Sequence, residues 1–209
     1  MDVEFFGANC VRLTTKKASI VIDDTLALHG GKGITKDADI SVHTQDILKA
    51  ATSKALLVNT PGEFEVSGVS ITGVQARAHT DEPDKMSATI YKFVAEDIHI
   101  LVVGHIYPDL TDAQLELIGK VDIMIVPVGG NGFTLDPLGA LKVIRKVEPA
   151  VVVPTQYAIR GMNYEVPALD LEEALKNLTM QPKETLEKLK SKDVDKHAEL
   201  SLVVVQSYK

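Results

Sequence analysis

The central stretch from Ile98 to Tyr157 constrains the fold most, because three short apolar runs in it each end abruptly at Gly, Pro, His or Gln. Such runs, rich in β-branched residues and only a few residues long, are typical of buried strands. Two amphipathic helices fit between them, one from Thr111 to Gly119 and one that begins near Asp136 with Pro137 in its first turn. The residues expected on one face of the second helix share a helical spacing: Leu138, Leu141, Ile144 and Val147. This alternation predicts a parallel sheet with crossover helices, whose ligands collect beyond the carboxyl ends of the strands.

The segments on either side of this stretch predict further strands and helices. Before it, closely spaced apolar runs between Val3 and Asp23 indicate an antiparallel meander, and a hairpin follows the Pro61-Gly62 turn. A short helix is expected from Thr44 to Ala51. After it, the sequence predicts an amphipathic helix from Asp170 to Leu178, a highly charged helix from Lys183 to Lys192 and a closing strand.

The composition is that of a globular protein of one domain, which we place at residues 1–209. Hydrophobic residues make up 45% of the chain and charged residues 24%, and no apolar run approaches the roughly 20 residues of a membrane-spanning helix. We therefore expect a cytoplasmic protein without a membrane partner. The net charge of -7 argues against binding to a nucleic-acid backbone. Cys10 is the only cysteine, which excludes an internal disulfide and a multi-cysteine metal cluster and favours a small buried hydrophobe.

Three phrases, taken in order, carry a resemblance to a known family: PGEFEV at 61–66, VDIMIVPVGG at 121–130 and VVVPTQY at 151–157. Together with the order of elements, they resemble the metallo-β-lactamase fold superfamily. The most similar branch is that of small single-domain zinc-dependent hydrolases related to ascorbate-6-phosphate lactonases. The resemblance covers nearly the whole chain. It implies an α/β (α+β) fold, a four-layer αββα sandwich with a metal site at one edge between the two sheets.

The resemblance also implies which residues occupy the family's metal positions. In the family, a His-x-His-x-Asp-His run, a later His, a bridging Asp and a last His bind one or two zinc ions, which activate a bound water. The corresponding run falls here on four residues that are not ligands of that type: Gln45, Ile47, Lys49 and Ala50. The later positions of this remnant pocket fall on His79, His105 and Gln156, with Gly129 and Gly130 supplying backbone freedom beside them. Only His79 matches the family's ligand type, with His105 as a substitute donor. Three loop carboxylates could replace lost ligands, although turn formation alone accounts for them: Asp81, Asp84 and Asp109.

These departures lead to one principal hypothesis and two alternatives. The principal hypothesis is a pseudo-hydrolase with no catalytic residue and no metal or other cofactor, kept for a binding, regulatory or structural role. The first alternative is a hydrolase with an altered mononuclear zinc or manganese site, built from His79 and His105 with an aspartate or Gln156, acting on a phosphorylated or lactone-type small molecule. The second is metal-free binding of a small anion or nucleotide by Lys49 and the Gly129-Gly130 backbone. The sequence does not specify whether the partner is a small molecule or a protein. It also leaves open whether the chain forms a homo-oligomer.

Overall fold

Two β-sheets pack face to face in the computed structural model, which describes residues 1–45, 54–197 and 199–208. The strands of the described residues are, in chain order, β1 (Asp2–Gly7), β2 (Cys10–Thr14), β3 (Ser19–Ile22), β4 (Ile40–Val42), β5 (Leu56–Val58), β6 (Gly62–Val66), β7 (Val69–Ala76), β8 (Ala88–Ala95), β9 (Ile98–Val102), β10 (Ile123–Pro127), β11 (Val151–Thr155), β12 (Pro182–Leu186), β13 (Leu189–Lys190) and β14 (Ser201–Val205). The six-stranded sheet has the order β13-β1-β2-β3-β4-β5, and the eight-stranded sheet has the order β12-β14-β11-β10-β9-β8-β7-β6.

The predicted meander forms the centre of the six-stranded sheet. β1, β2 and β3 pair antiparallel, with Val3 opposite Leu13, and this prediction is confirmed. Alternate side chains, such as Phe5 and Leu13, enter the core between the sheets. The opposite face carries Cys10, which packs with Leu26 of a short 3₁₀ turn (Leu26–His29) in a second apolar cluster. Burial, with Asp24 and Asp23 nearby, raises the pKa of the Cys10 thiol, which keeps it in its protonated, unreactive form.

The eight-stranded sheet contains the predicted parallel unit. β9, β10 and β11 are parallel neighbours, and three helices accompany them: α1 (Asp112–Ile118), α2 (Pro137–Val147) and α3 (Leu171–Leu178). Each helix is preceded by an N-cap residue whose side chain accepts a hydrogen bond from a backbone N–H of the first turn. α1 has the complete capping box of Thr111 and Gln114. The longest of the helices in the described segments is α2 with 11 residues, and none is long and apolar enough to cross a membrane. The two-sheet α/β architecture predicted from the sequence is confirmed.

The predicted buried face of α2 is wrong in one position. Leu138 is 67% exposed, whereas Ala140, Val143 and Ile144 are fully buried. Residues at i, i+3 and i+4 face the same side of a helix, and Leu138 lies about 200° from Ala140 at 100° per residue. The small residue, not the leucine, therefore lies on the packed side.

The predicted charged helix from Lys183 to Lys192 is also wrong. The segment instead forms β12, β13 and a 3₁₀ turn from Ser191 to Asp193. β12 is an edge strand that pairs in parallel with β14, and its middle residues Lys183 and Glu184 are exposed. Charged side chains are suited to a sheet edge, where they discourage pairing with other chains. The run of charges therefore reflects an edge strand and not a solvent-exposed helix. The helix predicted from Thr44 to Ala51 lies mainly outside the described residues.

Candidate functional site

A cavity of about 380 Å³ lies at the edge where strands of both sheets end. Its wall includes residues that follow β3, β4, β9, β10 and β11, namely Asp23, Thr44, Gln45, His105, Phe133 and Gln156. Segments from the 3₁₀ turn and from residues 164–166 complete the described part of the wall. The carboxyl ends of the parallel strands therefore meet at this cavity, as the sequence predicts for an α/β sheet.

Asp23, directly after β3, organises the floor of the cavity. Its buried carboxylate accepts hydrogen bonds from the Thr44 backbone N–H (2.7 Å), the Thr44 hydroxyl (2.6 Å) and the Asn9 side-chain amide (2.8 Å). Thr155 of the other sheet in turn donates to Asn9 Oδ1 at 2.6 Å. This network joins the two sheets and occupies both oxygens of Asp23. The sequence analysis did not identify Asp23, although a carboxylate directly after an apolar strand is a recognisable signal.

His105, at the end of β9, is the most buried histidine of the cavity wall, with 8% of its surface exposed. Its ring lies 4.9 Å from the ring of Phe133, and its Nδ1 has no hydrogen-bond partner within the described structure. Burial lowers the pKa of His105; Asp23 opposes this effect, and His79 lowers the pKa further. The preceding Gly104 has a positive φ, and a Cβ there would lie 2.6 Å from the Thr44 side chain. The close approach of the segment after β9 to Thr44 therefore requires glycine at residue 104.

Gln156 is held in the wall by an unusual backbone conformation. Its φ of 56° is left-handed, and its N–H donates to the Ala8 carbonyl at 2.7 Å. A Cβ at Gly129 would lie only 2.0 Å from the carbonyl oxygen of Gln156, so the two backbones can approach only because residue 129 is glycine. The N–H of Gly130 donates to the Leu135 carbonyl. Gly129 and Gly130 thus support the wall from behind, and neither lines the cavity.

The backbone of His79 is hydrogen-bonded to the backbone of His105, but His79 is not part of the cavity wall. Its N–H donates to the His105 carbonyl at 2.8 Å, while its Nδ1 is 3.4 Å from the Ile106 carbonyl oxygen. The ring is 6.2 Å from Tyr107, whose face is covered by Arg77. The structure therefore brings together Gln45, His105 and Gln156 and places His79 to one side.

The loop carboxylates have other partners. Asp81 is buried and accepts from the Ser87 hydroxyl, the Ser87 N–H and the Ala78 N–H; although burial opposes it, these hydrogen bonds lower its pKa to about 2. Asp109 forms surface ion pairs with Lys142 and Lys146, and Asp84 is exposed. Asp81 and Asp109 are therefore engaged in local structure away from the cavity.

The family's metal ions provide a test of the donor set. No three His, Cys, Asp or Glu side chains converge in the portions of the chain that the structure describes. The described cavity wall contains four side chains of ligand type: Asp23, His29, His105 and Glu165. Asp23 already accepts three hydrogen bonds, and His29 Nδ1 lies 3.0 Å from the Asn163 carbonyl oxygen. A catalytic zinc ion takes three protein ligands and a water, so the described residues do not fit a zinc or manganese site. Ile47, Lys49 and Ala50 lie outside the described residues.

A two-sheet sandwich with a cavity at one edge of its parallel strands defines the chain as a protein of the metallo-β-lactamase class. Residues 2–156 match the family model of the Beta-lactamase superfamily domain, and the chain belongs to this family. A metal-dependent hydrolase from Thermococcus onnurineus is 34% identical over 101 residues, a match that covers 46% of this chain and 44% of that protein. The chain thus matches less than half the length of this curated relative.

Solved structures support the same assignment. A candidate Zn-dependent hydrolase of the metallo-β-lactamase superfamily from Thermotoga maritima has a TM-score of 0.73 and 25% identity, covering 98% of this chain and 99% of that one. A metallo hydrolase from Ignicoccus hospitalis has a TM-score of 0.60 and 16% identity over 99% and 94% of the two chains. A diiron β-hydroxylase from Streptomyces venezuelae has a TM-score of 0.62 and 12% identity over 85% and 49%. The last two likenesses show the fold alone.

Proposed function

We propose that this chain is a pseudo-hydrolase of the metallo-β-lactamase family that binds a small molecule in the cavity without a catalytic metal. The observation that carries the proposal is the hydrogen bonding of Asp23. The cavity persists where the strands end, but both oxygens of this buried carboxylate accept hydrogen bonds from Thr44 and Asn9. A carboxylate in such a network holds neighbouring segments together, and three of its roughly four lone-pair sites are already used by hydrogen bonds.

The amides in the wall strengthen this interpretation. Gln45 and Gln156 stand where the resemblance implies the first and last histidines of the metal motif. An amide is a neutral, hard ligand, whereas protein zinc sites use His, Cys and carboxylates. The segment 46–53, outside the described residues, adds a single residue of ligand type to the sequence, Asp46. This segment therefore adds little to the donor set of the described wall.

A second candidate is the hydrolase with an altered mononuclear site. One observation favours it: His105 has a buried ring nitrogen without a hydrogen-bond partner in the described structure, and the backbone N–H of His79 donates to the His105 carbonyl. The relatives named as metal-dependent hydrolases set the same expectation. This candidate requires a third ligand, for which the sequence analysis names an aspartate or Gln156.

Thermal unfolding with and without zinc or manganese separates the two candidates. An ion that binds the folded state at 100 times its Kd stabilises it by about 2.7 kcal/mol, which raises the Tm of a chain of this size by about 5–11 °C. The pseudo-hydrolase is expected to show no such rise with either ion. A rise of that size in the wild type that is absent from the His79→Ala/His105→Ala double variant would establish the metal site instead. An equal rise in both proteins indicates metal bound elsewhere and leaves the altered site without support.

A further inference from the structure

A second cavity, of about 610 Å³, lies on the face of the six-stranded sheet that carries Cys10. Its apolar wall belongs to the cluster around that residue and consists of Phe6, Leu26, Ile34 and Met162. The volume falls within the ~300–1,000 Å³ range of small-molecule sites. This cavity shares no lining residue with the one at the strand ends. The fold therefore offers a second place of suitable size for a ligand.

Three exposed cations line this basic cavity: Lys32, Lys36 and Arg160. Asp37 is the one acidic side chain among its described lining residues. Within the described parts of the chain, none of the three cations forms an ion pair. On a chain with a net charge of -7, they concentrate positive charge at one place. A phosphate group suits such a place, because it has several oxygens that accept charge-assisted hydrogen bonds.

The loop that carries the two lysines is fixed by Asp24. The Oδ2 atom of Asp24 accepts hydrogen bonds from the Ile34 N–H (2.6 Å), the Thr35 N–H (2.8 Å) and the Thr35 hydroxyl (2.7 Å). The backbone between Lys32 and Lys36 is therefore held in one conformation before a ligand arrives. A preformed backbone lowers the entropic cost of gathering the two charges around an anion.

An aromatic pair forms a flat part of the same wall. The rings of Phe6 and Tyr208 stack with their centroids 5.1 Å apart and an angle of 17° between their planes. The backbone of Tyr208 is held in place, since its N–H donates to the Phe5 carbonyl at 2.9 Å. Its side chain nevertheless remains 53% exposed, so a ligand can reach the ring and stack on it. Lys209, the next residue, lies outside the described residues.

From these features we infer that the basic cavity binds a small organic phosphate that carries a flat ring. The phosphate contacts Lys32, Lys36 and Arg160, and the ring packs against Tyr208. This site goes beyond the proposed function, because it is separate from the cavity at the strand ends and requires no metal. Its test is therefore independent of the Tm measurements with zinc and manganese.

Three probes separate the contributions of charge and ring: phenyl phosphate has both, methyl phosphate has only the charge and phenol has only the ring. Ligand-observed proton NMR titration of the full chain, at neutral pH and low ionic strength, should show saturable binding of phenyl phosphate and weaker binding of the other two. Added salt should weaken the binding of phenyl phosphate, because the cations are exposed. Absent binding of phenyl phosphate, or equal binding of either other probe, would overturn the ligand class.

Variants at exposed positions locate the site. Lys32→Gln/Lys36→Gln should weaken phenyl phosphate binding about three- to twentyfold, the size of two exposed ion pairs. Lys176→Gln/Lys192→Gln is the matched control, because it changes the net charge equally at exposed positions outside the basic cavity, and it should bind as the wild type does. If the first variant binds like this control, as it would with phenyl phosphate held at the strand ends, the inference is wrong.

Tyr208→Ala tests the contribution of the ring. It should weaken phenyl phosphate binding about two- to tenfold and leave methyl phosphate binding unchanged, because only the first probe stacks on the tyrosine. Since the changed side chains are exposed, all these variants should unfold at the Tm of the wild type. Binding of phenyl phosphate to Tyr208→Ala as tightly as to the wild type would contradict the assigned position of the ring.

Discussion

Removing the carboxylate of Asp23 should destabilise the fold strongly. In Asp23→Ala, three buried donors lose their acceptor: the Thr44 N–H, the Thr44 hydroxyl and the Asn9 amide. Each buried polar group left unpaired costs about 1–3 kcal/mol, and water entering from the adjacent cavity recovers part of this. The free energy of unfolding should therefore fall by about 3–5 kcal/mol, a large share of the ~5–15 kcal/mol typical of a native protein. Urea denaturation measures it as a lower midpoint at an unchanged m-value.

Two further variants show whether the loss comes from the network. Asp23→Asn keeps one acceptor oxygen and the side-chain volume, so it should cost about 1–2 kcal/mol, less than the alanine variant. Asp109→Ala removes a carboxylate that is paired only at the surface, and it should leave the midpoint unchanged. If Asp23→Ala loses less than about 1 kcal/mol, the reasoning that the carboxylate anchors the network that joins the two sheets is refuted.

Three other predictions concern the supports of the site. Gly129→Ala places a Cβ 2.0 Å from the Gln156 carbonyl oxygen and should lower the unfolding free energy by more than about 3 kcal/mol in urea titration. Asp81, with its pKa lowered from 3.8 to about 2, contributes stability above pH ~4 that is lost as the pH falls towards 2, so Asp81→Asn should show a flatter stability profile over that range in pH-dependent denaturation. On α2, Leu138→Lys should leave the Tm within error, whereas Ile144→Ala should cost about 2–5 kcal/mol; a similar effect of the two would contradict the buried face seen here.

Local sequence signals predict the fold well where they act over a few residues. The caps at Thr111 and Asp136 place the starts of α1 and α2 correctly, because a capping side chain binds the backbone of its own helix. The parallel order of β9, β10 and β11 follows from strands that alternate with helices. The segment from Lys183 to Lys192 fails because pairing with β14 over a long sequence separation decides its conformation, and no local pattern records that partner.

The candidate site is predictable only in part for a similar reason. The carboxyl ends of the strands are correctly expected to meet, and Gln45, His105 and Gln156 do line one cavity. His79 is next to His105 in the backbone pairing, but sequence cannot show that its ring contacts Ile106 and Tyr107 instead. Asp23 directly follows an apolar strand in the sequence, but its role is fixed by hydrogen bonds to Asn9 and Thr44, which only the fold brings beside it.

The metal content of the purified protein tests the central claim most directly. The chain is prepared without chelator, loaded with zinc or manganese, desalted and examined by elemental analysis. The account predicts less than about a tenth of an equivalent of either metal per chain, because the described donors are too few and Asp23 is already engaged. About one equivalent, lost in the His79→Ala/His105→Ala variant, would contradict it and show that a functional metal site exists.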